Sequence, residues 1–255
     1  MPAVEDRAKL RSMAKAPPPR TFVLVHGIWH GGWCWHRVAE ILRARGHRVT
    51  APTHTGLGER SHLLTASITL DTFVEDVVNH LRFEDLGDAV LVGHSFGGAP
   101  ISGAADRVPE RIAKLIYLDA AIMEDGETWF GLLPADIVAD RTRLAEEFSG
   151  GLSLPPAPPE SFGVADPDDA AWLAPRLTPH PLATLTTPLR LAHPCGNGLP
   201  AHYVTCTAPA YRPAAMCRAR AEERGWPVAP LASGHDAMVS HPEATAALLE
   251  SLGAG

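Results

Sequence analysis

The pentapeptide Gly93-His94-Ser95-Phe96-Gly97 follows the apolar run 89–92 and precedes a segment with helical character. This strand–turn–helix context is what a G-x-S-x-G nucleophile elbow requires. The two glycines allow a sharp backbone turn without Cβ clashes, so the serine hydroxyl projects above the sheet. The helix that follows points its N-terminus at the serine, which favours developing negative charge. We therefore predict that Ser95 is a nucleophile; the alternative is a simple glycine turn.

Strand-like and helix-like segments alternate on both sides of this motif. Apolar β-rich runs predict strands at 21–25, 47–51, 89–93, 113–118, 202–206 and 226–231, and apolar residues at helical spacing predict helices at 33–45, 70–86, 213–224 and 242–252. The strands lack strict apolar–polar alternation, which indicates burial on both faces. The pattern predicts the α/β class, with a doubly wound, mostly parallel sheet.

The alternation stops between residues 123 and 200, a stretch that holds half of the 24 prolines of the chain. Proline has no backbone N–H to donate to a neighbouring strand, so it disfavours a sheet. The stretch is also too long for a simple connection between two elements. We predict a flexible tail at 1–20, a core made of 21–122 and 201–255, and a proline-rich insertion at 123–200 that caps the carboxyl ends of the strands. An irregular surface excursion without a substrate role is the alternative.

A serine nucleophile needs a base and an oxyanion hole. In this architecture the histidine comes last in the chain, and His235 directly follows the last predicted strand. The backbone N–H groups of Phe96, after the nucleophile, and Ile28, after the first strand, are the predicted oxyanion donors. His26 and His30 are four residues apart but belong to a Gly-rich turn without an H-E-x-x-H motif, so no metal site is predicted.

Composition restricts the remaining function classes. The 255 residues carry a formal net charge of −7, which argues against electrostatic binding of nucleic acid. No apolar run approaches the roughly 18 residues of a membrane span, and the N-terminus has no hydrophobic signal core. The four cysteines form no C-x-x-C pair, which predicts buried free thiols. We expect a cytoplasmic enzyme that acts on a small molecule without a cofactor; its oligomeric state is not predicted.

Together these motifs resemble a known group of α/β-hydrolases, which contains plant methyl esterases, hydroxynitrile lyases and bacterial esterase-like relatives. The resemblance is carried by segments in the two predicted core pieces, namely 22–27, 30–35, 56–62, 93–97, 117–120 and 234–238. It implies the α/β-hydrolase fold and the hydrolysis of a carboxylic ester.

The sequence departs from the plant members at the acid of the triad. In those proteins a carboxylate follows the strand equivalent to 202–206, whereas this chain has Cys206-Thr207-Ala208-Pro209. Asp119, at the end of the strand after the nucleophile strand, is the predicted replacement, as in some lipases. A loop-capping role for Asp119 is the alternative. Other acids are less suited: Glu124 and Asp125 lie further past the strand, and Asp236 adjoins the base.

A second departure separates esterases from hydroxynitrile lyases. The resemblance to the lyases would require threonine after His26 and lysine after His235, where this chain has Gly27 and Asp236. An anionic neighbour would oppose a departing cyanide, so this lyase chemistry is not expected.

The resulting prediction is a serine hydrolase that cleaves an ester, thioester or lactone of a small to medium, moderately hydrophobic substrate through an acyl-enzyme. The residues predicted to shape the pocket are Gly27, Trp29, His30, Trp129 and Phe130. Two alternatives stay open: a lyase or cyclase that uses the same pocket on a secondary-metabolite intermediate, and a non-catalytic ligand-binding homologue.

Overall fold

The computed structural model describes residues 18–211 and 215–254, and its centre is a six-stranded sheet. The strands of this sheet are β1 (Thr21–Val25), β2 (Arg48–Thr50), β3 (Ala89–His94), β4 (Ile112–Leu118), β7 (Ala201–Cys206) and β8 (Val228–Leu231). Their order is β2-β1-β3-β4-β7-β8, and every neighbouring pair is parallel. The predicted α/β class and parallel sheet are confirmed.

Ten α-helices connect or flank the strands within the described residues. They are α1 (His36–Ala44), α2 (Leu70–Phe83), α3 (Gly98–Arg107), α4 (Trp129–Leu132), α5 (Ala135–Ser149), α6 (Pro167–Leu173), α7 (Ala183–Thr186), α8 (Ala215–Glu223), α9 (Ala237–Ser240) and α10 (Pro242–Gly253). Helix α2 packs beside α3, and α1 packs beside α10. These layers bury strands β1 and β3, which explains why both are apolar at almost every position.

The element boundaries differ from the predicted ones by a few residues. The predicted helix 33–45 begins as a 3₁₀ turn at Gly32–Trp35 before α1, and the predicted helix 70–86 ends at Phe83. Strand β8 begins two residues later than predicted, and its Pro230 is accommodated because β8 is an edge strand. Residues 1–17 of the predicted tail, and 213–214 of the predicted helix 213–224, lie outside the described residues.

Residues 123–200, called the insertion below, add no strand to the six-stranded sheet. They contain α4 to α7 and a separate antiparallel pair of two-residue strands, β5 (Ser153–Leu154) and β6 (His180–Pro181). Two backbone hydrogen bonds join the insertion to loops at the carboxyl edge of the main sheet. Thr178 N–H donates to Trp29 O over 2.9 Å, and Asp236 N–H donates to Phe162 O over 3.1 Å.

All four cysteines are buried and free, as predicted. No helix in the described part of the chain is long and apolar enough to cross a membrane.

The turn after β3 packs directly on the segment that follows β4. The Ala121 N–H donates to the Ser95 carbonyl over 2.8 Å. The backbones approach so closely here that a Cβ on Gly98 would lie 2.1 Å from the Ala121 carbonyl oxygen. Only glycine therefore allows the start of α3 to sit against this segment.

We expect Gly98→Ala to lower the free energy of unfolding by about 3 kcal/mol, the upper end of the range for overpacked sites, because the obstructing atom is backbone. Urea unfolding followed by circular dichroism measures the change. Gly87→Ala is the matched control, since a Cβ there has no atom within 4 Å, and its stability should stay within about 0.5 kcal/mol of the parent. Equal stability of both variants would contradict the close packing at Gly98.

Candidate active site

Ser95 stands at the junction of β3 and α3 with a left-handed backbone. Its φ of 54° is uncommon for a residue with a Cβ and marks the sharp turn predicted from the motif. The loop after β1 passes against it: a Cβ on Gly27 would lie 2.7 Å from Ser95 Cβ and 3.2 Å from Ser95 Oγ. The threonine that the hydroxynitrile lyases carry at this position would not fit beside Ser95 without a shift.

Asp119 and His235 meet in a short buried hydrogen bond. His235 Nδ1 lies 2.7 Å from Asp119 Oδ2, and each residue is only 3% exposed. The other carboxylate oxygen of Asp119 accepts the backbone N–H of Cys206 over 3.2 Å. Strand β7, whose end carries the acid in the plant enzymes, thus contributes a backbone donor that orients Asp119.

Backbone strain is concentrated at this edge of the sheet. Six residues other than glycine have positive φ in the described part of the chain, and three of them are Ser95, Asp119 and Trp29, at 54°, 46° and 66°. Such conformations persist only where the surrounding structure fixes them, and they cluster at functional sites. At Asp119 and Trp29 this backbone signal lies outside the G-x-S-x-G motif.

The carboxylates considered as alternatives to Asp119 are engaged elsewhere. Glu124 accepts the Cys195 N–H over 3.2 Å, and Asp125 accepts the Leu191 N–H over 3.0 Å. Asp236 follows the base in sequence, but its carboxylate lies 3.0 Å from the ring of His30. Asp119 is thus the carboxylate positioned to orient His235.

Ser95 and His235 line one narrow recess of about 10 Å³. Ile28, Trp29 and His30 also line it, together with four residues for which no pocket role was predicted, namely His94, Phe162, Tyr211 and Asp236. Trp129 and Phe130 are not among the residues that line this recess, and their role in a substrate pocket stays a prediction. They are almost fully buried, and the Trp129 ring lies 6.2 Å from the ring of Phe96. Both residues belong to the short helix α4, which packs beside α7.

Tyr211 and Phe162 close the recess, and sequence reasoning missed both. The Tyr211 ring stacks on the His235 imidazole with centroids 3.9 Å apart, and burial raises the pKa of its hydroxyl. Phe162 belongs to the insertion and lies 5.5 Å from the Trp29 ring. Neither residue belongs to a local motif. Sequence reasoning missed them because only the folded chain brings them close to His235.

A larger cavity of about 340 Å³ lies on the other side of the same aromatic side chains. Trp29, Phe162 and Tyr211 line both spaces, and the cavity is further bounded by α5 and by the proline-rich stretch 154–158. Its volume is within the range of small-molecule sites.

His94 contacts both the backbone and the ring of His235. Its Nε2–H donates to the His235 carbonyl oxygen over 3.0 Å, and its ring lies 4.6 Å from the His235 ring. Burial, reinforced by the neighbouring His235, lowers the pKa of His94 to about 3, so that this imidazole stays neutral near pH 7. In the described residues no group of three or more His, Cys, Asp or Glu side chains is arranged to hold a metal ion.

The comparisons with known proteins identify the family. The model of the alpha/beta hydrolase family matches residues 22–248. The chain is 39% identical to the carbendazim hydrolyzing esterase of Nocardioides sp. (strain SG-4G) over 245 residues, which cover 91% of this chain and 99% of that protein. The chain therefore belongs to the alpha/beta hydrolase family.

Other relatives match over shorter or more diverged regions. Methylesterase 1 of Arabidopsis thaliana is 38% identical over 117 residues, which cover 45% of this chain and 44% of that protein. A solved structure, an extracellular alpha/beta-hydrolase from a Paenibacillus species, superposes with a TM-score of 0.79 at 26% identity, covering 93% of this chain and 99% of that one. That protein is described as sharing structural and functional homology with tobacco salicylic acid binding protein 2.

The Asp119–His235 contact predicts a magnetic-resonance signature. A short N–H···O bond to a buried carboxylate is charge-assisted, so we expect a strongly low-field ring proton on His235 Nδ1 in a one-dimensional proton spectrum. Asp119→Asn should remove this resonance, whereas Asp125→Asn should leave it in place. A spectrum without a low-field proton in the parent protein would contradict the 2.7 Å contact.

Proposed function

We propose that the chain is a cofactor-free serine hydrolase that cleaves a carboxylic ester of a small to medium, moderately hydrophobic substrate. Ser95 is the nucleophile, His235 the general base and acid, and Asp119 the orienting acid. The observation that carries the proposal is the buried 2.7 Å bond between His235 and Asp119, with His235 and Ser95 lining one recess. The proposed setting is the cytoplasm, with a small molecule as the partner.

In the first half of the proposed reaction, Ser95 Oγ attacks the ester carbonyl while His235 Nε2 takes the hydroxyl proton. Because Asp119 accepts the Nδ1–H, Nε2 is left free to receive this proton, and the carboxylate stabilises the imidazolium that forms. The carbonyl oxygen becomes an oxyanion bound by the backbone N–H groups of Ile28 and Phe96. Phe96 is the second residue of the 3₁₀ turn that leads into α3, where N–H groups have no partner inside the helix.

The second half of the reaction releases both products. His235 returns its proton to the departing alkoxide, so that the alcohol leaves and the acyl group stays on Ser95. A water molecule then gives a proton to His235 and attacks the acyl carbonyl. Collapse of this second intermediate returns the proton to Ser95 Oγ and releases the carboxylic acid.

The larger cavity is the proposed location of the bulkier part of the substrate. The recess at Ser95 has room for about one water molecule, whereas the cavity of about 340 Å³ shares three aromatic side chains with it. A substrate that extends past Trp29, Phe162 and Tyr211 would contact the proline-rich stretch 154–158. In this proposal the insertion acts as the cap that selects the substrate.

The relatives support ester hydrolysis as the reaction. The protein that is 39% identical over most of this chain is named an esterase, and the plant relative is named a methylesterase. Carbendazim therefore belongs in the first substrate panel, beside p-nitrophenyl acetate, butyrate and hexanoate.

Ser95→Ala should abolish labelling by a fluorophosphonate probe and lower ester turnover by at least about 10³-fold, because no covalent intermediate forms. Asp119→Asn should lower kcat by roughly 10⁴-fold while the protein stays folded, because the neutral amide favours the wrong tautomer of His235. Asp125→Asn is the matched carboxylate control, and its turnover should remain within about twofold of the parent.

The outcomes of this assay discriminate the proposed function from its rivals. Near-normal turnover in Asp119→Asn would show that another group orients His235. Labelling of Ser95 without turnover of any ester in the panel favours a lyase or cyclase. Neither labelling nor turnover favours a non-catalytic binding protein.

Leu144→Trp tests the proposed place of the substrate. Leu144 lies on α5 and lines the larger cavity, so an indole there should lower kcat/KM for p-nitrophenyl hexanoate about tenfold. The acetate, whose two-carbon acyl group is too short to extend along the cavity, should change by less than about twofold. Thr142→Trp, at an exposed position of the same helix, is the control and should affect neither ester. Equal losses for both esters in Leu144→Trp would place the acyl chain elsewhere.

A further inference from the structure

A second histidine–aspartate pair lies beside the proposed triad. His30 Nε2 is 3.0 Å from Asp236 Oδ2, and the side chains are 2% and 0% exposed. His30 belongs to the loop after β1, which carries Ile28, and Asp236 directly follows His235 in sequence. The pair therefore connects the proposed oxyanion loop with the loop that carries the proposed base.

The hydrogen-bond partners of His30 determine its protonation state. Its Nδ1 lies 2.7 Å from the Ile28 carbonyl oxygen, and its Nε2 faces the Asp236 carboxylate. A backbone carbonyl and an ionised carboxylate only accept hydrogen bonds, so both ring nitrogens carry protons when Asp236 is ionised. In that state His30 is an imidazolium that forms a buried ion pair with Asp236.

The surroundings of the pair favour this single positive charge. Burial alone would lower the pKa of His30, but the Asp236 carboxylate outweighs it and raises this pKa above its ordinary value. Burial alone would raise the pKa of the Asp236 carboxyl, but the neighbouring His30 outweighs burial. The net effect is a lowered pKa of Asp236. The Trp33 indole stacks on the imidazole with centroids 5.6 Å apart.

The other titratable groups that face the pair are neutral near pH 7 or belong to the proposed site itself. Burial, with neighbouring groups, lowers the pKa values of His26, His94 and His180, and it raises those of Cys34, Cys206 and Tyr211. His235 is the remaining neighbour, and its ring is bonded to Asp119. Among these groups, His94 has its Nε2 3.8 Å from Asp236 Oδ1.

The peptide between His235 and Asp236 is held from three directions. His94 bonds the His235 carbonyl over 3.0 Å, and Phe162 accepts the Asp236 N–H over 3.1 Å. The third restraint is the His30–Asp236 pair. Through His30 this restraint links Asp236 to the carbonyl of Ile28, which also lines the recess. A shift of either loop would change the distance between the base and the oxyanion donor.

We propose that His30 and Asp236 are positioning residues, a charged bridge that fixes the Ile28 loop relative to His235. This inference rests on the proposed function, because it assigns Ile28 and His235 their parts in ester hydrolysis. The bridge acts through geometry and transfers no proton during the reaction.

The protonation state is tested first, by a readout independent of activity. In the full chain labelled with ¹⁵N-histidine, a proton–nitrogen correlation spectrum at about pH 7 should show both His30 ring nitrogens protonated, whereas an imidazole of ordinary pKa is then mostly neutral. In Asp236→Asn the amide can donate to Nε2, so this nitrogen should lose its proton while Nδ1 keeps its own. An unprotonated ring nitrogen of His30 in the parent protein would overturn the charged bridge.

The positioning role is tested by kcat on p-nitrophenyl acetate, expressed per active site titrated with the fluorophosphonate probe. A merely structural role would reduce the number of titrated sites and leave kcat per site unchanged. His30→Gln keeps an amide facing Asp236 but loses the bond to Ile28, and Asp236→Leu removes the bridge. Each variant should lower kcat per site about tenfold and change KM less than about threefold. The expected loss of kcat is smaller than the roughly 100-fold loss that a 1 Å misplacement can cause.

A neutral variant that keeps the hydrogen bond distinguishes the effect of the lost link from the effect of the lost charge on kcat. Asp236→Asn preserves a hydrogen-bonded link through neutral His30, so its kcat per site should exceed that of Asp236→Leu by at least about fivefold. The matched control is Glu40→Leu, which removes the exposed pair of His36 and Glu40, 3.3 Å apart, and should leave kcat unchanged.

Two results would overturn the positioning role. The first is a kcat per site within twofold of the parent in folded His30→Gln and Asp236→Leu. The second is an Asp236→Asn variant as impaired as Asp236→Leu. If Asp236→Leu does not fold, His30→Gln decides between the outcomes. A parent protein that the probe does not label would contradict the proposed function, and the histidine spectrum would still decide whether the bridge is charged.

Discussion

The hydrogen bond from Ala121 N–H to the Ser95 carbonyl, 2.8 Å long, is the contact on which the rest of the site depends. It fixes the strained turn after β3 against the segment that follows β4, so Ser95 and Asp119 keep a defined separation. The contact is possible because Gly98 lets α3 begin directly against Ala121. A parallel sheet supplies the frame, since the carboxyl ends of neighbouring strands meet at one edge. Every other part of the site is arranged around this junction.

The sheet order explains how the acid can follow a different strand without loss of the contact. Strand β7 lies between β4 and β8, and the loop after β8 carries His235. A carboxylate at the end of either β4 or β7 is therefore near the histidine loop. In this chain Asp119 follows β4 and reaches across the end of β7, where the Cys206 N–H binds its second oxygen over 3.2 Å. The end of β7 thus supplies a backbone donor that orients Asp119.

The insertion contributes to the site although it adds nothing to the main sheet. Its Phe162 lines the recess and accepts the Asp236 N–H, and its Thr178 bonds the carbonyl of Trp29. The prolines at 155, 156 and 158 form one wall of the larger cavity. A wall of prolines is stiff because the ring fixes φ and leaves no N–H for a sheet. These three prolines of the insertion thus lie at the place where the proposed substrate would be selected.

The sequence by itself determined the parallel sheet and the sharp turn at Ser95, and it pointed to His235 as the proposed base, because periodicity and local motifs specify elements and their chain order. It also limited the acid to a few carboxylates, of which Asp119 was preferred. Only the tertiary structure decided which carboxylate meets His235, since that contact joins residues 116 positions apart. The same holds for Tyr211, which stacks on His235 without any motif, and for the His30–Asp236 pair, which joins residues 206 positions apart. Such contacts depend on strand register and on how the insertion docks, and neither leaves a local pattern in the sequence. The pocket role of Trp129 and Phe130 stays a prediction for the same reason, because composition marks them as apolar but does not say which surface they cover.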